Sequence, residues 1–320
     1  MNILITGVAG QIGSNLAHHL LSLNHSIIGI DNLSSSPLPP YLKSFPNFSF
    51  IHHDITSPII LNNIDLIYNL ACPASPLHYQ TKPIHTINTS IQGSINILNL
   101  ANHCNCPCVF SSTSEIYGDP LIHPQSESYN GNVSTTSPRS CYDESKRLAE
   151  TIHYEFHKLY NTNIKIIRIF NTFAPNILPS DGRAIPSFVF SAIHHNPLTI
   201  FGNGSQTRSF LYINDLISAI TSPLFLNLPN NLPIINLGNP HEISILNLAN
   251  RIIKLSNSNS SLSFHPLPLN DPIQRKPNIN LAKSLLHWKP TTSLNSALKY
   301  IISYYKSHYY KPSLVAYSSL

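Results

Sequence analysis

The chain has 320 residues, 42% of them apolar, which supports one large domain or two coupled ones around a sizeable core. Its net charge of +5 is modest and spread out, with no run of Lys or Arg, which argues against a nucleic-acid partner. No apolar stretch approaches the ~20 residues that cross a bilayer, and the five cysteines and missing secretory signal predict a reducing, cytoplasmic setting.

The first segment, "NILIT", is a short apolar run ended by Gly7 and reads as a buried parallel strand. "GQIGSNLAHHLLSLN" follows with Ile12, Leu16, Leu20 and Leu23 at helical spacing, and "HSIIGID" is a second buried strand ending in Asp31. Together they form one βαβ unit. "FSFIHHDI" and "IDLIYNLA" read as strands three and four. A long helix over "HTINTSIQGSINILNLANHC" leads to strand five, "PCVFSST". "PRSCYDESKRLAETIHYEFHKLY" is another helix, and "IKIIRIFNT" is strand six. This alternation predicts an α/β fold with a doubly wound parallel (Rossmann) sheet, its ligands at the carboxyl ends of the strands. Residues 1–176 are assigned to that dinucleotide-binding domain.

From Ile177 onward the segments shorten and Pro becomes frequent. Residues 177–310 are therefore read mainly as a smaller C-terminal substrate lobe, with some segments returning to the first domain. Residues 311–320 carry no periodicity and are expected to be a loose tail. "HCNCPC" places Cys104, Cys106 and Cys108 at alternate positions, which is the wrong spacing for zinc pairs, and no metal is expected.

"GVAGQIG" sets Gly7, Gly10 and Gly13 directly after a strand and directly before a helix. There they permit a tight turn and bring a pyrophosphate close to the helix N-terminus. Asp31, at the end of strand two, accepts hydrogen bonds from ribose hydroxyls and repels a 2′-phosphate, so NAD is preferred over NADP. Gln11, Ile12, Asn32, Asp54, Ile55 and Leu70 are placed on the same cofactor surface, Asp54 towards the adenine.

Tyr142 and Lys146 stand four apart on one helix and project from one face. Such a Lys favours a phenolate, brings the Tyr pKa down from ~10, and can hydrogen-bond the nicotinamide ribose. The phenolate is a competent base for a sugar hydroxyl, and Thr113, at the end of strand five, can share that proton.

Beyond the glycine turn and the Tyr–Lys pair, the chain carries "NLACPASPLHYQ", "STSEIYGDP", "HPQSESY", "GNV", "PRSCYDESKR", "RIFNTFAP", "DGR", "GNGSQTRSF", "NLGNP" and "DPIQRKPNI". From Met1 to about Pro290 it resembles the extended short-chain dehydrogenase/reductases, and within them the UDP-glucuronate decarboxylases. The resemblance implies a lyase that uses NAD catalytically and takes UDP-glucuronate to UDP-xylose. Tyr142 deprotonates the carbon-4 hydroxyl as hydride leaves that carbon, carbon dioxide is lost from the 4-keto acid, and the ketone is reduced again. It assigns Thr113, Ser114, Glu115, Tyr142 and Lys146 to catalysis, with Glu115 near carbon 5, where its charge presses the substrate carboxylate to leave. It places Asn171, Arg208 and Arg275 around the UDP sugar, and Thr89, Thr172 and Arg183 on the NAD side. It also implies a homodimer built on helices 86–104 and 140–160. Sugar 4,6-dehydratases need an acid where this chain has Ser114, which speaks against that branch.

The chain departs from the family pattern in several places. Gln11 replaces an aromatic residue, "DNLSSSPLPP" lacks the usual basic residues, and Ser145 and Ala174 replace glycines. These changes suggest a slower enzyme that holds NAD less tightly. The rival readings are a decarboxylase that releases the 4-keto pentose, a nucleotide-sugar 4-epimerase, and a diverged protein that senses NAD or a nucleotide sugar without catalysis.

Overall fold

Seven parallel strands form one sheet whose order places the strand Ile234–Leu237 at one edge, beside β6 (Ile164–Ile169). Next come β5 (Cys108–Thr113), β4 (Leu66–Asn69), β1 (Asn2–Thr6), β2 (Ser26–Asp31) and β3 (Phe48–His52). The computed structural model describes residues 1–268 and 272–310, so the expected tail over 311–320 lies outside the described residues. The chain reverses direction across the sheet between β1 and β4, and a crevice opens at such a switch point beyond the strand ends.

Side-chain alternation along the strands builds two cores. Ile3 and Ile5 of β1 face the layer that holds helix α1 (Gln11–Ser22), whereas Leu4 faces the opposite layer. In that opposite layer α3 (Pro83–Cys104), which follows the short α2 (Pro76–Thr81), packs along α4 (Ser140–Tyr160). Cys106 and Cys108 are buried in the same core, and burial lifts the Cys106 thiol to about 12, so these two sulfurs act as small apolar fillers. Among the described residues no cluster of His, Cys, Asp and Glu is placed to hold a metal, and no helix is long and apolar enough to cross a membrane. Helices α3 and α4 both stop at an Asn in the left-handed conformation, Asn105 (φ 50°) and Asn161 (φ 54°), a residue that tolerates that backbone.

After β6 the chain builds a third core of its own. There α5 (Ala184–Ile193), the helix Ile245–Ser256 and the C-terminal helix Leu294–Tyr309 pack around Phe188, Leu248, Ile252 and Ile301. The chain also returns to the first layer. Helix α6 (Ile213–Ile220) packs on α1, Ile279 and Trp288 join the same core, and Ile234–Leu237 completes the sheet.

Candidate active site

The turn from β1 into α1 is tight enough to require glycine at two positions. Gly7 has φ +69°, and a Cβ on Gly13 would lie 2.2 Å from the Gly7 carbonyl oxygen. The Asp31 carboxylate, at the end of β2, accepts from the backbone N–H of Ala9 at 2.9 Å and of Leu33 at 2.8 Å. Burial raises its pKa, and those two N–H groups work the other way. Asn32 donates to Asp54 at 2.8 Å, and hydrogen bonds from Thr56 and Asn32 overcome burial to hold Asp54 low. The Thr6 hydroxyl donates to Asn69 and accepts from the N–H of Leu70 and Ala71, which clamps the end of β4 onto β1 beneath the turn.

These groups wall a cleft of about 660 Å³ that Gly7, Gly10, Ile12, Asp31, Asn32, Asp54, Ile55, Leu70 and Thr89 all line. The residues fit a dinucleotide. The turn leaves no room for side chains, a carboxylate waits at the ribose position, and the buried Gln11 Nε2 has no internal partner to donate to. Arg183 reaches the same wall, donating to Gln11 Oε1 and, at 3.2 Å, to Asp181.

A second cavity of about 360 Å³ adjoins the first and shares Gln11, Ile12, Leu70, Cys72 and Arg183 with it. Tyr142, Lys146, Thr113, Ser114 and Glu115 line it, together with Asn171, Thr172, Arg208 and Arg275. Helix α4 supplies the first two because Tyr142, Lys146, Ala149 and His153 recur at helical spacing on its buried face. The Tyr142 ring stacks flat on Tyr79 of α2, centroids 5.1 Å apart and planes within 7°. Thr113 ends β5 and lines the same cavity, and its hydroxyl favours the ionised form of the Tyr142 phenol. Lys146 Nζ donates to the Ser111 carbonyl at 2.8 Å and lies 4.7 Å from the centroid of the Phe110 ring.

The electrostatics differ from the sequence expectation in two respects. Burial lifts the Tyr142 phenol well above its ordinary value, with nearby charges, Cys72 first, adding to the rise and the Thr113 hydroxyl working against it. Burial also lowers Lys146. Burial therefore keeps the phenol protonated in the protein alone, because taking the phenolate out of water costs more than the Thr113 hydroxyl returns. Glu115 differs as well. Burial pushes its carboxyl up, but Arg139 and Arg275, each bonded to one of its oxygens, hold it down at about 2. Its charge is compensated twice over, so it does not stand as a bare repulsive anion.

Four residues of this site escaped sequence reasoning. Tyr79 supports the Tyr142 ring, and Cys72 lies between the two cavities. Arg139 binds Glu115, and Asp143 lies 3.9 Å from Arg139 with Oδ1 buried and unpartnered. The signal for Arg139 and Asp143 was present, since both fall inside "PRSCYDE" beside the recognised Tyr. Arg275 is almost fully buried, and its second Nη donates to the Gly118 carbonyl at 3.0 Å. Arg208 donates to the Thr207 carbonyl, and the buried Asn171 Nδ2 has no internal partner.

Residues 3–238 match the model of the NAD dependent epimerase/dehydratase family. The chain belongs to this family. Among its curated relatives is the UDP-glucuronic acid decarboxylase 2 of Arabidopsis thaliana, 41% identical over 94% of this chain and 67% of that protein. The UDP-glucuronic acid decarboxylase 1 of Xenopus tropicalis is 40% identical over 95% of this chain and 72% of its own length. Among solved structures, the UDP-glucuronic acid 4-epimerase of Bacillus cereus, in complex with UDP-glucuronic acid and NAD, superposes with a TM-score of 0.86. It is 28% identical, and the match covers 97% of this chain and all (100%) of that one. The family fold and its NAD requirement agree with the dinucleotide cleft built by the glycine turn and Asp31.

Proposed function

We propose that this protein decarboxylates UDP-glucuronate to UDP-xylose with bound NAD recycled in each turnover. One observation carries the reading. Tyr142, Thr113 and Lys146 converge on a cavity that opens into the dinucleotide cleft, and a Glu115 clasped by two arginines stands next to them. Relatives of 40–41% identity over nearly the whole chain support the decarboxylase over the epimerase, whose solved example is 28% identical.

NAD, when bound, supplies the hydride acceptor for carbon 4 and returns the hydride at the end. The chain's own residues do the remaining work. Asp31 and the glycine turn hold the adenosine and pyrophosphate side, with Asn32, Asp54 and Thr89 around them. Lys146 keeps two further N–H donors beyond the one on Ser111, which suit ribose hydroxyls. The Tyr142 phenolate, formed when positive charge sits beside it, removes the proton of the carbon-4 hydroxyl, and Thr113 steadies that oxygen. Oxidation places the carboxylate β to a ketone. Loss of carbon dioxide then moves the bonding electrons onto the carbon-4 oxygen, where Thr113 and the newly protonated Tyr142 donate to it. A proton from solvent at carbon 5 restores the ketone, and as carbon 4 is reduced Tyr142 returns its proton to the carbon-4 oxygen, which regenerates the phenolate. Asn171 and Arg208 bind the nucleotide-sugar phosphates, Arg208 as a planar two-pronged donor.

Purified protein incubated with UDP-glucuronate and NAD should release carbon dioxide and yield a UDP-pentose by mass, with no free reduced cofactor. Tyr142→Phe should abolish turnover and keep nucleotide binding. Accumulation of reduced cofactor would instead make the product the 4-keto pentose, and an isomeric UDP-hexuronate without carbon dioxide would make the protein an epimerase. Nucleotide binding with no turnover at all would point to the sensor.

We further infer a homodimer joined through α3 and α4, which lie side by side and expose Ile84, Leu148 and Tyr154. All five thiols are unpaired, which suits a reducing, cytoplasmic setting.

A further inference from the structure

Arg139 stands just before α4, three residues ahead of Tyr142, and lines the cavity that holds Tyr142 and Thr113. Its guanidinium carbon is 6.0 Å from the centroid of the Tyr79 ring, the ring that stacks on Tyr142. Glu115, its ion-pair partner, lies two residues past the end of β5, and the Glu115 N–H donates to the Thr113 hydroxyl at 3.2 Å. Three charged side chains, Glu115, Arg139 and Arg275, therefore gather immediately beside the oxygen pair that would hold a reacting sugar hydroxyl.

We propose that Arg139 receives the carboxylate of the substrate, exchanging its bond to Glu115 for one to the sugar acid. The inference rests on the decarboxylase reading and deepens it. The reacting hydroxyl and the carboxylate of a hexuronate are borne on adjacent ring carbons. A hydroxyl placed on Thr113 and Tyr142 therefore carries the acid group into the immediate neighbourhood of these three charges. A lone Glu115 would repel it, but two guanidinium groups against one carboxylate leave a surplus of positive charge. Of the two, Arg275 is enclosed, its side chain 3% exposed and its two Nη groups bonded to Glu115 and the Gly118 carbonyl, whereas the Arg139 side chain, which lines the cavity, keeps 16% exposure. Arg139 is thus the arginine whose edge a ligand can reach. Asp143 lies behind it at 3.9 Å, and burial, with the charge of Glu115, pushes that carboxyl up to about 8, so near neutrality it does not cancel the surplus.

The exchange also resolves a conflict in the reaction. A guanidinium that held the carboxylate with no competitor would oppose its departure, since that group must give up its charge to leave. When the bond between carbon 5 and the carboxyl carbon breaks, its electron pair passes to the carbon-4 oxygen and neutral carbon dioxide departs. Glu115 is then at hand to take Arg139 back, so the positive charge is not stranded.

Calorimetric titration on a Tyr142→Phe background, which binds nucleotide without turning over, tests this with NAD present and two ligands, UDP-glucuronate and UDP-glucose, which differ in the acid group. Arg139→Met should weaken UDP-glucuronate ten- to a hundredfold and leave UDP-glucose within about twofold. Arg139→Lys, which keeps the charge without the planar fork and is the milder change for folding, should weaken UDP-glucuronate by a smaller factor and again spare UDP-glucose. Unchanged affinity for UDP-glucuronate, or equal losses for both ligands, would overturn the assignment. A Tyr142→Phe protein with Arg139 intact that binds both ligands equally would instead count against the decarboxylase reading itself.

Discussion

The ring of Tyr79 lies flat against that of Tyr142, 5.1 Å between centroids, and so fixes the plane in which the reacting phenol can present its oxygen. The Tyr79 hydroxyl is buried without an internal partner, so the ring is the part that orients Tyr142. An aromatic stack of this kind contributes about 1 kcal/mol beyond burial. Tyr79→Leu should therefore lower kcat by about an order of magnitude with NAD affinity unchanged. Steady-state kinetics beside cofactor titration would show it, and an unaltered kcat would remove Tyr79 from any orienting role.

The phenol itself should change its protonation on cofactor binding. In the protein alone, burial keeps Tyr142 protonated well past the usual phenol range. A cationic nicotinamide placed beside it favours the phenolate. Mixing protein and NAD at mildly alkaline pH in weak buffer should therefore release protons, and the Tyr142→Phe variant should release fewer. Equal release from both would show that this phenol does not ionise.

Asp143 makes stability depend on pH in an identifiable direction. Its carboxyl is raised from 3.8 to about 8 in the folded chain, so the folded state holds a proton that the unfolded state gives up. Its contribution is complete below the unfolded value and is lost as pH rises through about 8. Asp143→Asn, which cannot ionise, should flatten the fall in Tm between pH 5 and 8. A variant whose Tm follows the wild-type curve would show that Asp143 is charged throughout.

Glu115 works with the opposite sign. Its carboxyl is held at about 2 by Arg139 and Arg275, so its contribution is present above the unfolded value of 4.5 and lost as pH falls through about 2. Glu115→Gln leaves two buried guanidinium groups without their anion. It should cost about 3–5 kcal/mol of stability, read as a large fall in Tm at pH 7. A change within a degree or two would mean that solvent already screens the cluster.

The proposed dimer can be tested at its surface. Leu148 and Tyr154 are 46% and 49% exposed on the outer side of α4. Exposed apolar residues on a regular helix mark a contact face when they adjoin another such helix. Leu148→Asp with Tyr154→Asp should shift the sedimentation coefficient from dimer to monomer and leave the fold intact by circular dichroism. A wild-type chain that sediments as a monomer would end the dimer reading.

The amino-acid sequence by itself settled whatever depends on local pattern. Short apolar runs alternating with helical spacing specified six of the seven sheet strands, because strand and helix periodicity are properties of neighbouring residues. The glycine turn, Asp31 at a strand end, and the shared face of Tyr142 and Lys146 were legible for the same reason. The seventh strand, Ile234–Leu237, was not, because its place beside β6 is set by pairing with residues far back in the chain. The charge state of the site also belonged to tertiary structure alone. Arg275 meets Glu115 across 160 positions of sequence, and burial decides the protonation of Tyr142 and Asp143. Neither spacing nor composition carries that information, since the cost of removing a charge from water depends on what the folded chain places around it.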